Sequence, residues 1–155
     1  MLLDKQRIEG HNEKGQKLHK QSFDFVAQRI PNVESIVQKL IDFQIAIPSW
    51  ALGSGGTRFG RFSGGGEPGT LEEKMEDIGL LHQLNRSSGA VSLHIPWDIP
   101  KDVNAVKQQA KEYGLKFDAM NSNTFQDQQN QKLSYKFGSM QHVDKAVRQQ
   151  AVDHN

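Results

Sequence analysis

Residues 43–50 read FQIAIPSW, residues 91–97 read VSLHIPW and residues 116–121 read KFDAMN. Each run is short, carries strand-forming β-branched or aromatic residues, and has a proline or asparagine at or near its end that favours a turn. What lies between them decides the fold. Thr70 followed three residues later by Glu73 has the form of a capping box, and Leu71, Met75, Ile78 and Leu81 follow at helical spacing, so a helix runs from Thr70 to about residues 87–89. Pro100 and Asp102 open another helix, with Val103, Val106, Ala110 and Tyr113 on its inner face and Gly114 as its stop. Residues 116–121 are then followed by a polar stretch, 122–141, and a last helical segment, 142–155.

Strand and helix thus alternate three times, the pattern of parallel strands joined by right-handed crossovers, and the class is α/β. Two arrangements satisfy it. One is a small doubly wound sheet. The other is the opening portion of a barrel, since a complete eight-fold barrel needs at least about 200 residues. The strands are preceded by a helical segment, residues 1–42. In it Leu18, Phe23, Phe25, Val26 and Ile30 suit a surface-lying helix ending near Pro31, and Val33, Ile36, Val37 and Leu40 share one face of a second. Residues 43–155 form the strand-bearing domain.

Composition narrows the function. The 155 residues carry a net charge of +1 with acids and bases interspersed, which offers no electrostatic footprint for nucleic acid or an anionic membrane. No run approaches the roughly 20 apolar residues of a spanning helix. Cysteine is absent, which excludes disulfides and thiolate metal sites and fits a cytoplasmic location. A mean hydropathy of -0.66 is polar for a self-contained core.

Eight of the fourteen glycines, Gly53 to Gly69, fall between the first strand and the Thr70 helix. The stretch suits a phosphate cradle, a slack linker or a lid. It fails as a dinucleotide turn, because the third glycine position falls on Arg58, and as a P-loop, because no lysine occurs between Gln44 and Lys74. At about 20 residues it is far longer than the two to six usual for such connections, and Arg58, Phe59, Arg61 and Phe62 give it side chains that grip.

Ligands in parallel α/β folds sit outside the carboxyl ends of the strands. His94 lies there on the second strand, followed by Trp97 and Asp98; Trp50 ends the first, and Asn121, Asn123 and Phe125 end the third. A rim of aromatic rings and neutral hydrogen-bonding groups suits a polyol such as a sugar. The alternative for His94 is a buried imidazole bonded to a backbone carbonyl. Asp98 is the one carboxylate well placed for a metal, Glu67 lies in the glycine stretch and Asp118 is mid-strand, while Glu72, Glu73, Glu76 and His82 fall on the solvated face of their helix. These residues assemble no metal cluster, nucleophile elbow or glycosidase carboxylate pair.

The strings PSWALGSGGTRFGRF, GEPGT, VSLHIPWD, FDAMNSNTF, SYKFGS and AVDHN, in this order, resemble the N-terminal part of L-rhamnose isomerases of the type found in bacilli and pseudomonads. The resemblance covers residues 43–155. It implies a (β/α)8 TIM barrel of which this chain holds the first three βα units, and a metal-dependent aldose–ketose isomerase, usually a homotetramer, that interconverts L-rhamnose and L-rhamnulose. It further implies that Trp50, His94 and Phe125 line the sugar pocket, that His94 helps open the cyclic substrate, and that Phe59 covers a neighbouring subunit's pocket. The divalent cation, typically manganese, would be held by residues of later strands that this chain does not contain, so the chain alone is expected to be inactive. Two other readings stay open: a metal-independent carbohydrate-binding module and an inactive structural fragment.

Overall fold

The computed structural model describes residues 4–53 and 65–155. Helices α1 (Lys5–Ala27) and α2 (Val33–Asp42) precede strand β1 (Ala46–Pro48), which runs into a single 3₁₀ turn, Ser49–Ala51. Helix α3 (Leu71–Asn85), strand β2 (Ala90–Ile95), helix α4 (Val103–Tyr113), strand β3 (Lys116–Ser122) and helix α5 (Lys145–His154) follow. The strands form one parallel sheet in the order β1-β2-β3. The α/β alternation expected from the sequence is therefore present, with a three-stranded parallel sheet at its centre.

The local signals act as their chemistry predicts. The Thr70 hydroxyl accepts from the Glu73 N–H at 3.2 Å and the Glu73 carboxylate accepts from the Thr70 N–H at 3.1 Å, a completed capping box. Asp102 caps α4, and Gly114, at φ 69°, ends it in the left-handed region. The main core lies between the sheet and the α3–α4 pair: Leu71, Met75, Ile78, Val91, Leu93, Val106, Ala110 and Leu115. Gly79 lets α3 approach α4, since a Cβ there would lie 2.4 Å from Cγ of Tyr113. A smaller cluster joins Tyr135, Val147 and Ala151, so the polar stretch 122–141 packs against α5. Asp127 organises that stretch by accepting from the Ser134 hydroxyl at 2.7 Å and the Tyr135 N–H at 2.6 Å.

The structure differs from the sequence expectation in several places. The first strand is shorter than residues 43–50: Phe43 caps the end of α2 and is 68% exposed, and Pro48, which lacks an N–H, passes the chain into the 3₁₀ turn holding Trp50. Val103 is exposed, because it occupies the first turn of α4 beyond the reach of α3, and Leu81 likewise lies outside the core. The apolar residues of α2 share a face, yet only Val33 is buried there; Ile36 and Leu40 are exposed. Strand β3 is exposed along nearly its whole length, including Phe117 and Met120. His82 is half-buried rather than solvated, with its Nδ1 enclosed.

The stretch between β1 and α3 closes at its base. Gly53 has φ +76°, and a Cβ on it would meet the Pro68 carbonyl oxygen at 2.2 Å, so both backbone shape and space require glycine there. Phe59 lies outside the described residues.

Replacing Gly79 by alanine is expected to destabilise the chain by about 1–3 kcal/mol through overpacking against Tyr113, despite the better helix propensity of alanine. Urea unfolding of Gly79→Ala beside the parent chain measures this, and an unchanged or raised midpoint would show that α3 and α4 separate without penalty.

Candidate functional site

The carboxyl ends of all three strands point to one edge of the sheet, and the candidate residues gather there. His94, at the end of β2, is 1% exposed. Three rings enclose its imidazole. Trp97 stacks on it with centroids 3.8 Å apart and planes inclined by 16°. Trp50, from the turn after β1, meets it edge-on at 5.6 Å. Phe125, beyond the end of β3, does the same from the other side at 5.8 Å. Each such pair adds about 0.5–1.5 kcal/mol beyond the area buried. Trp50, His94 and Phe125, three of the four residues singled out by sequence, thus form one assembly. Trp97 completes it because the turn after Pro96 folds back over the strand, with the Asp98 N–H donating to the His94 carbonyl at 2.8 Å.

Beneath the rings lies a polar network. Asp98, 1% exposed, takes the ammonium of Lys74 on one oxygen at 2.8 Å. Its other oxygen accepts from the His94 N–H at 2.7 Å and from the Ser49 hydroxyl. A carboxylate removed from water is costly unless charge and hydrogen bonds replace the lost hydration, and here three donors from α3, β2 and the β1 turn do so.

The imidazole has no such partners. Among the described residues, neither Nδ1 nor Nε2 of His94 has a hydrogen-bond partner, a backbone carbonyl included. Burial lowers its pKa from the usual 6.5; Asp98 opposes the shift and Lys74 adds to it. The ring is therefore neutral at pH 7, with one nitrogen a donor and the other an acceptor. Asn123 brings a second such group: it is buried, its N–H bonds the Ile95 carbonyl at 2.9 Å, and its Oδ1 has no partner among the described residues. Asn121, opposite His94 in register, is exposed.

Among the described residues, no group of three or more histidine, aspartate or glutamate side chains is arranged to hold a metal ion. Asp98 has both oxygens engaged, and Asp118 accepts from Ser92 at mid-strand, at 3.2 Å. The donor set near His94 does not fit a divalent cation. Among the described residues no helix is long and apolar enough to cross a membrane.

No family model matches the chain. It is 49% identical over 132 residues, 85% of its length, to a Rhizobium meliloti protein named "probable sugar isomerase", and 54% identical over 123 residues, 79% of its length, to a Mesorhizobium japonicum protein of the same description. These regions make up 31% and 28% of the two relatives, so the chain spans about a third of their length.

Ser49 and Lys74 were not apparent as site residues in the sequence. A signal for Lys74 is there: Leu71, Lys74, Met75 and Ile78 follow the i, i+3, i+4, i+7 spacing of a buried stripe, and a lysine inside such a stripe needs a buried anion.

Two outcomes follow from these charges. Lys74→Met leaves Asp98 buried without its counter-charge and is expected to cost about 3–5 kcal/mol in urea unfolding, against under 1 kcal/mol for the exposed Lys107→Met. A histidine whose folded pKa is lowered contributes stability that is complete above pH 6.5 and is lost as pH falls through that value toward the folded one. The thermal midpoint should therefore fall between pH 7.5 and pH 5, and the slope should be shallower in His94→Gln; His82, shifted down by burial and by Arg86, supplies a residual slope. An unchanged slope in His94→Gln would place the acid sensitivity elsewhere.

Proposed function

We propose that the chain supplies one wall of the sugar pocket of an aldose–ketose isomerase acting on L-rhamnose and L-rhamnulose, and that its sheet is the first three βα units of a (β/α)8 barrel. The observation that carries this reading is the neutral, enclosed His94 imidazole, with both nitrogens unpartnered among the described residues, inside a cage of three aromatic rings. The two relatives named for sugar isomerisation agree with it. The uncovered strand β3, with Phe117 and Met120 exposed, supports the barrel, since parallel strands are ordinarily covered on both faces.

The geometry suits the first half of the reaction. A pyranose would offer apolar C–H faces to the rings and, once the rings part to admit it, hydroxyls to His94 and Asn123, whose unpartnered atoms are enclosed in this structure. L-Rhamnose also carries a methyl group at C6, which an aromatic cage accepts more readily than the hydroxymethyl of its 6-hydroxy analogue, L-mannose. Opening the ring needs a proton removed from the anomeric hydroxyl and one delivered to the ring oxygen. A neutral imidazole has one nitrogen for each task. Moving hydrogen between C1 and C2 further needs both oxygens polarised. In this reading a divalent cation such as manganese supplies that polarisation, bound by carboxylates and imidazoles outside the described residues. Phe59, between Gly53 and Pro68 in the sequence, would cover the pocket of a neighbouring subunit in a homotetramer.

The chain has two tryptophans, Trp50 and Trp97, and both border His94, so tryptophan fluorescence, excited selectively at wavelengths tyrosine does not absorb, reports on this site. Titration with L-rhamnose is expected to give a saturable change, weaker with L-mannose and abolished in His94→Ala. A flat titration with both sugars would overturn the reading of a sugar wall. In the same samples with manganese, no ketose is expected from the chain alone; ketose formation would show that the cation site lies within it, and equal binding with and without manganese at the affinity of a finished site would favour a carbohydrate-binding module.

A further inference from the structure

We propose that Lys74 is a positioning residue for the aromatic cage: by holding one oxygen of Asp98 it commits the other to Ser49 and His94 together, and so fixes Trp50 and Trp97 about the imidazole. The inference rests on the sugar-wall reading for its consequence in binding, not for its geometry.

Lys74 comes from helix α3, yet its ammonium reaches the carboxyl edge of the sheet and ends on Asp98 at 2.8 Å. Both side chains are withdrawn from water, 7% and 0% exposed. A carboxylate has two equivalent oxygens, and its terminal torsion is soft. With Oδ1 turned to the Lys74 ammonium, Oδ2 faces both remaining donors, Ser49 Oγ in the turn after β1 and His94 N in β2. Oδ2 is therefore a single point to which the ends of β1 and β2 are both tied. Without the ammonium the carboxylate is free to turn and to serve the two donors with separate oxygens, which lets the strand ends drift apart.

Each donor carries a tryptophan with it. Ser49 precedes Trp50 in the 3₁₀ turn, whose closure is the Leu52 N–H to Ser49 carbonyl bond at 3.1 Å. Moving Ser49 turns Trp50 relative to His94. On the other side, Asp98 closes the five-residue turn from His94 with two bonds, its N–H to the His94 carbonyl at 2.8 Å and its side chain to the His94 N–H at 2.7 Å. Trp97 sits inside that turn and owes its 3.8 Å stack on the imidazole to it. Lys74 thus acts through Asp98 on both rings, as a brace set back from the pocket.

The test separates positioning from simple stabilisation. Nuclear Overhauser cross-peaks between the His94 ring protons and those of Trp50, Trp97 and Phe125 are recorded on the isotopically labelled chain, on Lys74→Met, on Lys74→Arg and on Ser49→Ala, with β1–β2 backbone cross-peaks confirming the sheet. Positioning expects the Trp50–His94 cross-peaks to disappear in Lys74→Met and Ser49→Ala and to persist in Lys74→Arg, with the Trp97 stack retained in Ser49→Ala. Full cross-peaks in folded Lys74→Met and Ser49→Ala would overturn the proposal and leave the ion pair a stabilising one only. If Lys74→Met does not fold, Lys74→Gln, which keeps a polar side chain of similar reach and removes the ammonium charge, decides by the same cross-peaks, with Ser49→Ala testing the link from Asp98 to Trp50. L-Rhamnose titrations of the same samples form the second arm: where the parent chain binds, Lys74→Met is expected to bind about threefold to tenfold more weakly, the cost of re-ordering a freed ring, with Lys74→Arg restoring affinity. A parent chain that binds no sugar overturns the sugar-wall reading while the cross-peaks still decide the role of Lys74.

Discussion

A carboxylate and an ammonium that have both left water hold the carboxyl edge of this sheet together. Desolvating such a pair costs several kcal/mol per ion, and the attraction between them compensates only if geometry and further hydrogen bonds are good. Here the further bonds are the Ser49 hydroxyl and the His94 N–H, and they are what ties strand β1 to strand β2 at the point where three rings meet an imidazole. Ion, strand end and ring are successive links of one chain of contacts. The apolar stripe of Leu71, Met75 and Ile78 sets α3 on the sheet, and that placement is what brings Lys74 within reach of Asp98.

The same arrangement sets the chemistry of His94. The aromatic cage removes the imidazole from water and so disfavours its charged form, while Asp98 below it, spent on Lys74 and two neutral donors, only partly opposes that shift. Without Lys74 the Asp98 charge would oppose the effect of burial more strongly. Pairing Asp98 with Lys74 therefore gives structural order without surrendering the neutral imidazole, the form that both accepts and donates a proton.

Much of the fold was legible because its signals are local. A capping box at Thr70 and Glu73, an N-cap at Asp102 and a stop at Gly114 each act within one helical turn, and all three form as written. Two parts of the site were legible for a related reason: residues at the carboxyl ends of parallel strands must share an edge, which brings Trp50, His94 and Phe125 together whatever else the chain does. The Lys74–Asp98 pair was not, because it joins residues 24 apart in sequence and depends on how far α3 slides along the sheet. Trp97 was read as the end of a strand, whereas the turn through Pro96 returns it onto His94. The misplaced burials on α2 and β3 share one physical origin. Ile36 and Leu40 on α2 and Phe117 and Met120 on β3 follow the periodicity of buried faces, but among the described residues nothing packs over them.

That uncovered surface bears on the site itself. Phe125 is 47% exposed and stands on the β3 side of the cage, where the sheet is open, while Trp50 and Trp97 stand on the sides braced through Asp98. The cage is thus firm on two sides and loose on the third. In the proposed reading, a sugar held by such a wall would meet two preset rings and have to order the third, so part of its binding free energy would go into fixing Phe125. Covering β3 with further βα units would fix Phe125 beforehand. In that reading, covering β3 and tightening the cage would be one event, while the firm side of the cage is the one held from within the described residues by Asp98 and its donors.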